Sequence, residues 1–117
     1  MLAALIAGCA LIAFARSISN IERSGSWYYI YDEQGKKVRT LSASSIGEVK
    51  GWSSDFFVTE NGSWIYIYNI AGQRIKTLSK SSVGEVIAIS GNTFTSRNGN
   101  WIYTYDINGK RINTRHK

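Results

Sequence analysis

Apolar and aromatic positions recur along this chain with a period of 37 residues, marked by Trp27, Trp64 and Trp101. Within the segment from Trp64 to Tyr68, successive side chains of a strand would point to opposite faces, and both faces are apolar. A strand covered on one side alternates apolar with polar residues, so this segment is predicted to lie between two layers. Self-similarity at a fixed spacing is typical of repeat architectures.

Four strands fit within each period, and the second period displays them in full. They are predicted at 47–52, 56–59, 64–68 and 74–78. Short turns connect these four strands to one another, and Asn61-Gly62 is a pair typical of tight hairpins. The link to the next period, 79–82, is polar and is predicted to be the loosest. The pattern therefore predicts an all-β chain of three four-stranded antiparallel meanders. In the first period, 12–16 and 18–22 would be the first two strands.

Each period also follows one order of motifs: a Gly-Glu-Val strand, a Phe strand, Asn-Gly, Trp-x-Tyr-x-Tyr-Asp, Gly-Lys and a basic strand. This order resembles the blades of WD-type and related β-propellers. The phrase Trp-Ile-Tyr-Thr-Tyr-Asp-x-x-Gly-Lys at 101–110 also resembles short bacterial repeat proteins that imply no function. The resemblance implies propeller-like blades at 12–43, 46–80 and 83–117, in one repeat domain at 12–117. A β-trefoil, a three-sheet prism or an open stack of sheets fits the strand count as well.

Three blades do not close a ring, because propellers typically need four to eight. Self-association would cover the two end faces, and two chains would supply six blades. We therefore expect a homo-oligomer that serves as a non-enzymatic binding or assembly module.

The three tryptophans carry a second interpretation. With Tyr29, Tyr66 and Tyr103 on the same faces, Trp27, Trp64 and Trp101 are predicted to be packed between blades. The alternative is a threefold set of stacking platforms for sugars, and the chain would then be a carbohydrate-binding repeat protein. A protein partner or a glycan is thus expected at these positions.

Charge adds a third candidate surface. The chain has 14 basic and 8 acidic residues, for a net charge of +6. Many of the basic residues lie in or beside the fourth strand of each period: Lys36, Lys37, Arg39, Arg74, Lys76, Lys110 and Arg111. Such a basic rim would protect an edge strand from pairing with other chains. It would alternatively bind nucleic acid or an anionic membrane. Few exposed aromatics accompany it, so the sequence does not favour nucleic acid.

Candidate catalytic chemistry is sparse. Glu48 and Glu85 recur at the start of the first strand, where carboxylates could ring a central channel or simply order the strand ends. His116 is the only histidine and lies next to the last residue. No pattern of metal ligands, phosphate-binding glycines or nucleophile elbow is present. The sequence predicts no enzyme, no cofactor and no metal.

The N-terminal segment is apolar, and residues 1–11 are predicted to be an extension outside the repeats. Ile6-Ala7-Gly8-Cys9 resembles a bacterial lipobox, so Cys9 is a candidate for lipidation. A membrane partner is expected only if this segment is a signal or an anchor. A cytoplasmic location is favoured, with a membrane-attached lipoprotein as the alternative.

Overall fold

The computed structural model describes residues 16–117 as three antiparallel sheets that are not closed into a barrel. Cys9, the extension at 1–11 and nearly all of the strand predicted at 12–16 lie outside the described residues. We number the units by their sheets, with β1–β3 in unit 1, β4–β7 in unit 2 and β8–β11 in unit 3. Unit 1 comprises β1 (Ile18–Ser24), β2 (Trp27–Asp32) and β3 (Lys37–Ser42). Unit 2 comprises β4 (Glu48–Trp52), β5 (Phe56–Asn61), β6 (Trp64–Asn69) and β7 (Arg74–Ser79). Unit 3 comprises β8 (Glu85–Ser90), β9 (Thr93–Asn98), β10 (Trp101–Asp106) and β11 (Arg111–His116).

Every sheet is a simple meander, because consecutive strands are hydrogen-bonded neighbours throughout. The strand that opens with a tryptophan has a partner on each side, so Trp64 lies opposite both Asn61 and Ser79. The basic strands β3, β7 and β11 each lie at one edge of their sheet. The prediction of an all-β chain built from repeated blade-like units is confirmed.

The turns before the basic strands are fixed by a side chain. The Oδ1 of Asp32 accepts hydrogen bonds from the backbone N–H groups of Gln34 and Lys36, at 2.9 and 3.0 Å. Asp106 does the same in unit 3. Gly35 closes the first of these turns at φ +75°, a conformation that glycine adopts without steric cost. The aspartate at the end of the strand is therefore part of the turn.

The links between units are ordered helical turns, which differs from the loose segment predicted at 79–82. They are α1 (Ala43–Ile46) and α2 (Lys80–Val83). The N–H of Gly84 donates to the carbonyl of Lys80 at 2.7 Å, and Asn98 Nδ2 donates to the carbonyls of Ser81 and Ser82. A four-residue helix is too short to leave a periodic apolar pattern, so no pattern in the sequence indicated it.

The units stack face to face, and unit 2 is covered on both sides. Each unit has an isoleucine face, which carries Ile30, Ile67 or Thr104, and a tyrosine face on the opposite side. Ile30 of unit 1 clusters with Phe57 and Tyr68 of unit 2. Ile67 of unit 2 clusters with Phe94 and Tyr105 of unit 3. The prediction that the central strand is buried on both faces is confirmed, and this arrangement excludes a trefoil or a three-sheet prism.

The isoleucine face of unit 3 departs from the repeat. In unit 2 this face presents Val58 and Ile67, both fully buried, and the partly buried Leu78. The equivalent residues of unit 3 are Thr95, Thr104 and Arg115. Among the described residues, the core cluster of unit 3 uses only its tyrosine face. A polar outer face is typical of the terminal unit of a repeat stack.

Candidate functional site

The three tryptophans are the most prominent exposed aromatic side chains. Trp27, Trp64 and Trp101 are 49%, 50% and 45% exposed. The prediction that they are packed between blades is therefore wrong. Each opens its strand beside a hairpin turn, so its ring lies at the end of the sheet. Tyr68, further along the strand on the same face as Trp64, is the residue that becomes buried.

All three tryptophans lie at the same end of their sheets, because each follows the equivalent hairpin turn. We call this end the tryptophan edge, defined by Trp27, Trp64 and Trp101 with the hairpin turns and helical links beside them. Stacked sheets are about 10 Å apart, which sets the approximate step from one tryptophan to the next. Trp101 also packs edge to face on His116, with ring centroids 5.0 Å apart. The terminal histidine therefore orients one of the three rings.

A cleft of about 470 Å³ opens at this edge between units 2 and 3. It is lined by Gly62, Ser63, Ser79, Lys80, Ser81 and Asn98. Asn98 lies directly opposite Trp101 across the hairpin, so the indole and the cleft are neighbours. The lining is rich in hydroxyl and amide groups, which both donate and accept hydrogen bonds.

The single cation of the cleft lining is already paired. Lys80 Nζ donates to the Oε2 of Glu60. This hydrogen bond and the charge of Glu60 raise the pKa of Lys80. The cleft therefore presents mainly neutral polar groups to a ligand.

Tyr29, Tyr66 and Tyr103 are not free platforms. Each ring is half-buried and has a cation of the adjacent edge strand over it. Lys37 Nζ lies 4.0 Å from the ring centroid of Tyr29. The guanidinium carbons of Arg74 and Arg111 lie 4.5 and 4.6 Å from the centroids of Tyr66 and Tyr103. The pairs recur at the 37-residue period, a signal that the sequence carried but that strand alternation alone did not single out.

The residues of the basic rim are all exposed: Lys36, Lys37, Arg39, Arg74, Lys76, Lys110 and Arg111. Within residues 16–117, the ion pairs involve only Lys50, Lys80 and Arg97 among the cations. The rim is thus a surface of cations that no described acid neutralises.

Glu48 and Glu85 lie at the start of β4 and β8, as expected, and their side chains are exposed. Glu48 approaches Lys50 at 3.7 Å, and Glu85 approaches Arg97 at 3.8 Å. Each carboxylate pairs with a cation of its own sheet, which fits a role in ordering the strand ends. In the described part of the chain, no three His, Cys, Asp or Glu residues are grouped as a metal site would require. The same part holds no helix with the length and apolar character needed to cross a membrane.

Comparisons with known proteins inform the fold alone. No family model and no curated protein matches the chain. The solved structure of KlHsv2 with loop 6CD replaced by a Gly-Ser linker is similar, with a TM-score of 0.55 and 13% sequence identity. The match covers 76% of this chain and 31% of that one, so this chain spans under a third of its length. That neighbour is a β-rich repeat-type protein, in agreement with the stacked units.

Proposed function

We propose that this chain is a non-enzymatic binding module whose tryptophan edge binds carbohydrate. The observation that carries the proposal is the exposure of Trp27, Trp64 and Trp101, which are 45–50% exposed at equivalent positions on one edge. An exposed indole gives up its contact with water when it stacks on the apolar face of a sugar ring, and burial of its large apolar surface stabilises the complex.

The cleft supplies the polar half of such a site. Ser63, Ser79 and Ser81 carry hydroxyls that can donate to or accept from sugar hydroxyls. The amide nitrogen of Asn98 is used by the carbonyls of α2, which leaves its Oδ1 to accept a hydrogen bond from a ligand. A site that combines one apolar platform with a few convergent polar groups is the usual form of a small-molecule pocket.

Repetition of the tryptophan favours an extended ligand. Three platforms at a step of about 10 Å would engage successive parts of one chain, and linked binding events raise the overall affinity. The lining groups are hydroxyl, amide and indole. These groups bind a sugar but do not provide the paired acid and base of a glycosidase.

Self-association through blade faces is the alternative. If the units are propeller-type blades, three of them do not close a ring, and a second chain would supply the missing blades. The end faces give it less support. Thr95, Thr104 and Arg115 replace the apolar residues that form the seam between units 2 and 3. On the tyrosine face of unit 1, Asn20 stands where unit 2 has the fully buried Phe57. The tryptophan edge has no such replacement.

Titration with a panel of neutral oligosaccharides, followed by tryptophan fluorescence and calorimetry, tests the proposal. Trp64→Ala and Trp101→Ala should each weaken binding about fivefold or more, since a lost aromatic contact costs about 0.5–1.5 kcal/mol beyond its buried area. Trp52→Ala is the matched control, because Trp52 is 36% exposed but lies at the end of the sheet opposite to Trp64. A panel without binding, or an equal loss in the Trp52 variant, would contradict the proposal.

A further inference from the structure

The basic rim is held in a fixed geometry. Lys37, Arg74 and Arg111 rest on tyrosine rings at 4.0–4.6 Å, so their charged groups are positioned by cation–π contacts. The aliphatic parts of the Arg39 and Lys76 side chains lie against glycines of the next unit. A Cβ at Gly72 would be 3.1 Å from Arg39 Cγ, and one at Gly109 would be 2.7 Å from Lys76 Cγ.

Each seam between units has a cation on both of its sides. Arg39 is opposite Ile30 in the ladder and so lies on the isoleucine face of unit 1, whereas Arg74 is opposite Tyr68 on the tyrosine face of unit 2. Lys76 and Arg111 have the same relation across the next seam. Because stacked sheets are about 10 Å apart, these two cation pairs form a short row along the rim.

Like charges on the two sides of a seam repel each other, and a bound anion would relieve this repulsion. All four cations are exposed, and no acid of residues 16–117 lies within ion-pair distance of them. Guanidinium groups pair strongly with carboxylate, sulfate or phosphate oxygens. The row therefore fits a linear polyanion better than a single anion.

The placement of aromatic groups selects the kind of polyanion. The tyrosine rings of the rim are covered by the cations themselves, so they cannot stack nucleic acid bases. The rim strands lead directly to the tryptophan edge: Lys76 is three residues before Ser79, about 10 Å along the strand. We propose that the rim binds an acidic polysaccharide, with its carboxylate or sulfate groups on the cation pairs and its sugar rings toward the tryptophan edge. This inference rests on the proposed carbohydrate-binding function.

The test compares acidic and neutral glycan probes with a polyanion that is not a glycan. Oligogalacturonate and a heparin oligosaccharide are the acidic probes, and methyl-esterified oligogalacturonate is the neutral counterpart of the first. Oligothymidylate is a polyanion whose charges are phosphates and whose sugars are not joined by glycosidic bonds. At low salt, at least one acidic probe should bind about fivefold or more tightly than the neutral one. This preference should shrink as NaCl rises from about 0.05 to about 0.5 M, because salt screens exposed charges.

Charge-matched variants locate the contact. The double variant R39Q/K76Q should lose about fivefold or more in affinity for the preferred acidic probe and little for the neutral one. The control K50Q/R97Q removes the same two charges from cations that lie outside the rim, and it should change the affinity less than twofold. Circular dichroism of both variants checks that the fold is retained.

The outcomes separate this inference from the proposed function. Equal binding of acidic and neutral probes, with loss only in the tryptophan variants, would overturn the acidic preference and leave the tryptophan edge standing. Equal losses in R39Q/K76Q and K50Q/R97Q would reduce the effect to net charge and overturn the rim site. Tighter binding of oligothymidylate than of either acidic glycan would also overturn it. Binding of an acidic probe that needs the rim but not the tryptophans would support the rim and refute the proposed function of the edge.

Discussion

Gly84 is a position at which one added methyl group should cost much stability. It ends α2 with φ +87° and ψ −149°, a region of backbone space that is nearly restricted to glycine. A Cβ there would lie 2.3 Å from the carbonyl oxygen of Arg97 and 2.8 Å from the Cβ of Asn98. Both contacts are with the end of β9, which cannot move without disturbing the hairpin that carries Trp101.

Two costs add up in Gly84→Ala. The dihedral strain amounts to about 1–3 kcal/mol. Forcing the link away from β9 adds about 1–3 kcal/mol, as for other overpacked sites. The free energy of unfolding should therefore fall by about 2–6 kcal/mol, a large part of the roughly 5–15 kcal/mol available to a domain. Because Lys80 and Ser81 of α2 and Asn98 line the cleft, the proposed binding of sugar should weaken in the same variant.

Gly99→Ala is the matched control within the same unit. Gly99 also has a positive φ, +63°, but an added Cβ would meet nothing within 4 Å. The free energy of unfolding of Gly99→Ala should fall only by about 1–2 kcal/mol, which is the cost of an alanine in the left-handed conformation. Denaturant unfolding followed by far-UV circular dichroism measures both variants. If Gly84→Ala costs no more than Gly99→Ala, the close approach of the link to β9 is refuted; a Gly84→Ala chain that fails to fold while Gly99→Ala folds would support it.

Three further predictions concern other parts of the stack. Ser96 Oγ donates to a backbone carbonyl at 2.7 Å, whereas the equivalent Thr59 Oγ1 is buried with no partner. In the same unfolding assay, Ser96→Ala should therefore lower the free energy of unfolding by about 1–3 kcal/mol, and Thr59→Val should leave it unchanged or raise it. Restoring the seam residues on unit 3 with Thr104→Ile and Arg115→Leu should produce concentration-dependent association by light scattering, and a strictly monomeric variant would contradict the terminal role of this face. Burial raises the pKa of Tyr105 above its ordinary 10.0, so the folded chain favours the neutral phenol. The stability from this group is present below pH 10.0 and is lost as pH rises through the raised pKa, and Tyr105→Phe should lessen this alkaline loss relative to the unmodified chain.

The strand pattern was predictable because the repeat constrains it three times. The segment predicted at 64–68 is a strand from Trp64 to Asn69, and both its faces are covered as its doubly apolar character indicated. Exposure of the tryptophans was not predictable from alternation. The pattern assigns a side chain to a face, but it does not say how far the neighbouring sheet extends along that face. Trp64 lies past the packed layer, and Tyr68 lies within it.

The chemistry of the rim was predictable only in part. The sequence identified Arg74 and Arg111 as edge-strand cations, yet it gave no sign that each would rest on a tyrosine of the adjacent strand. That contact depends on the bulge in the ladder after Ile67, which shifts the register of the pairing. Bulges of this kind depend on turn geometry and leave little trace in hydrophobic pattern.

Comparison of equivalent positions in the three units indicates which residues are needed for packing between units. Where no unit of the described chain packs, the repeat has exchanged some of its apolar residues for polar ones, as at Thr104 in place of Ile67. By the same logic, a tryptophan that is half exposed and contributes little to packing should also have been exchanged, since an exposed indole favours unwanted association. Trp101 nevertheless stands in the unit whose outer face has become more polar, and it is 45% exposed, compared with 50% for Trp64. The retention of an exposed indole in all three units is therefore not explained by core packing, and it supports the proposal that a ligand stacks on these rings.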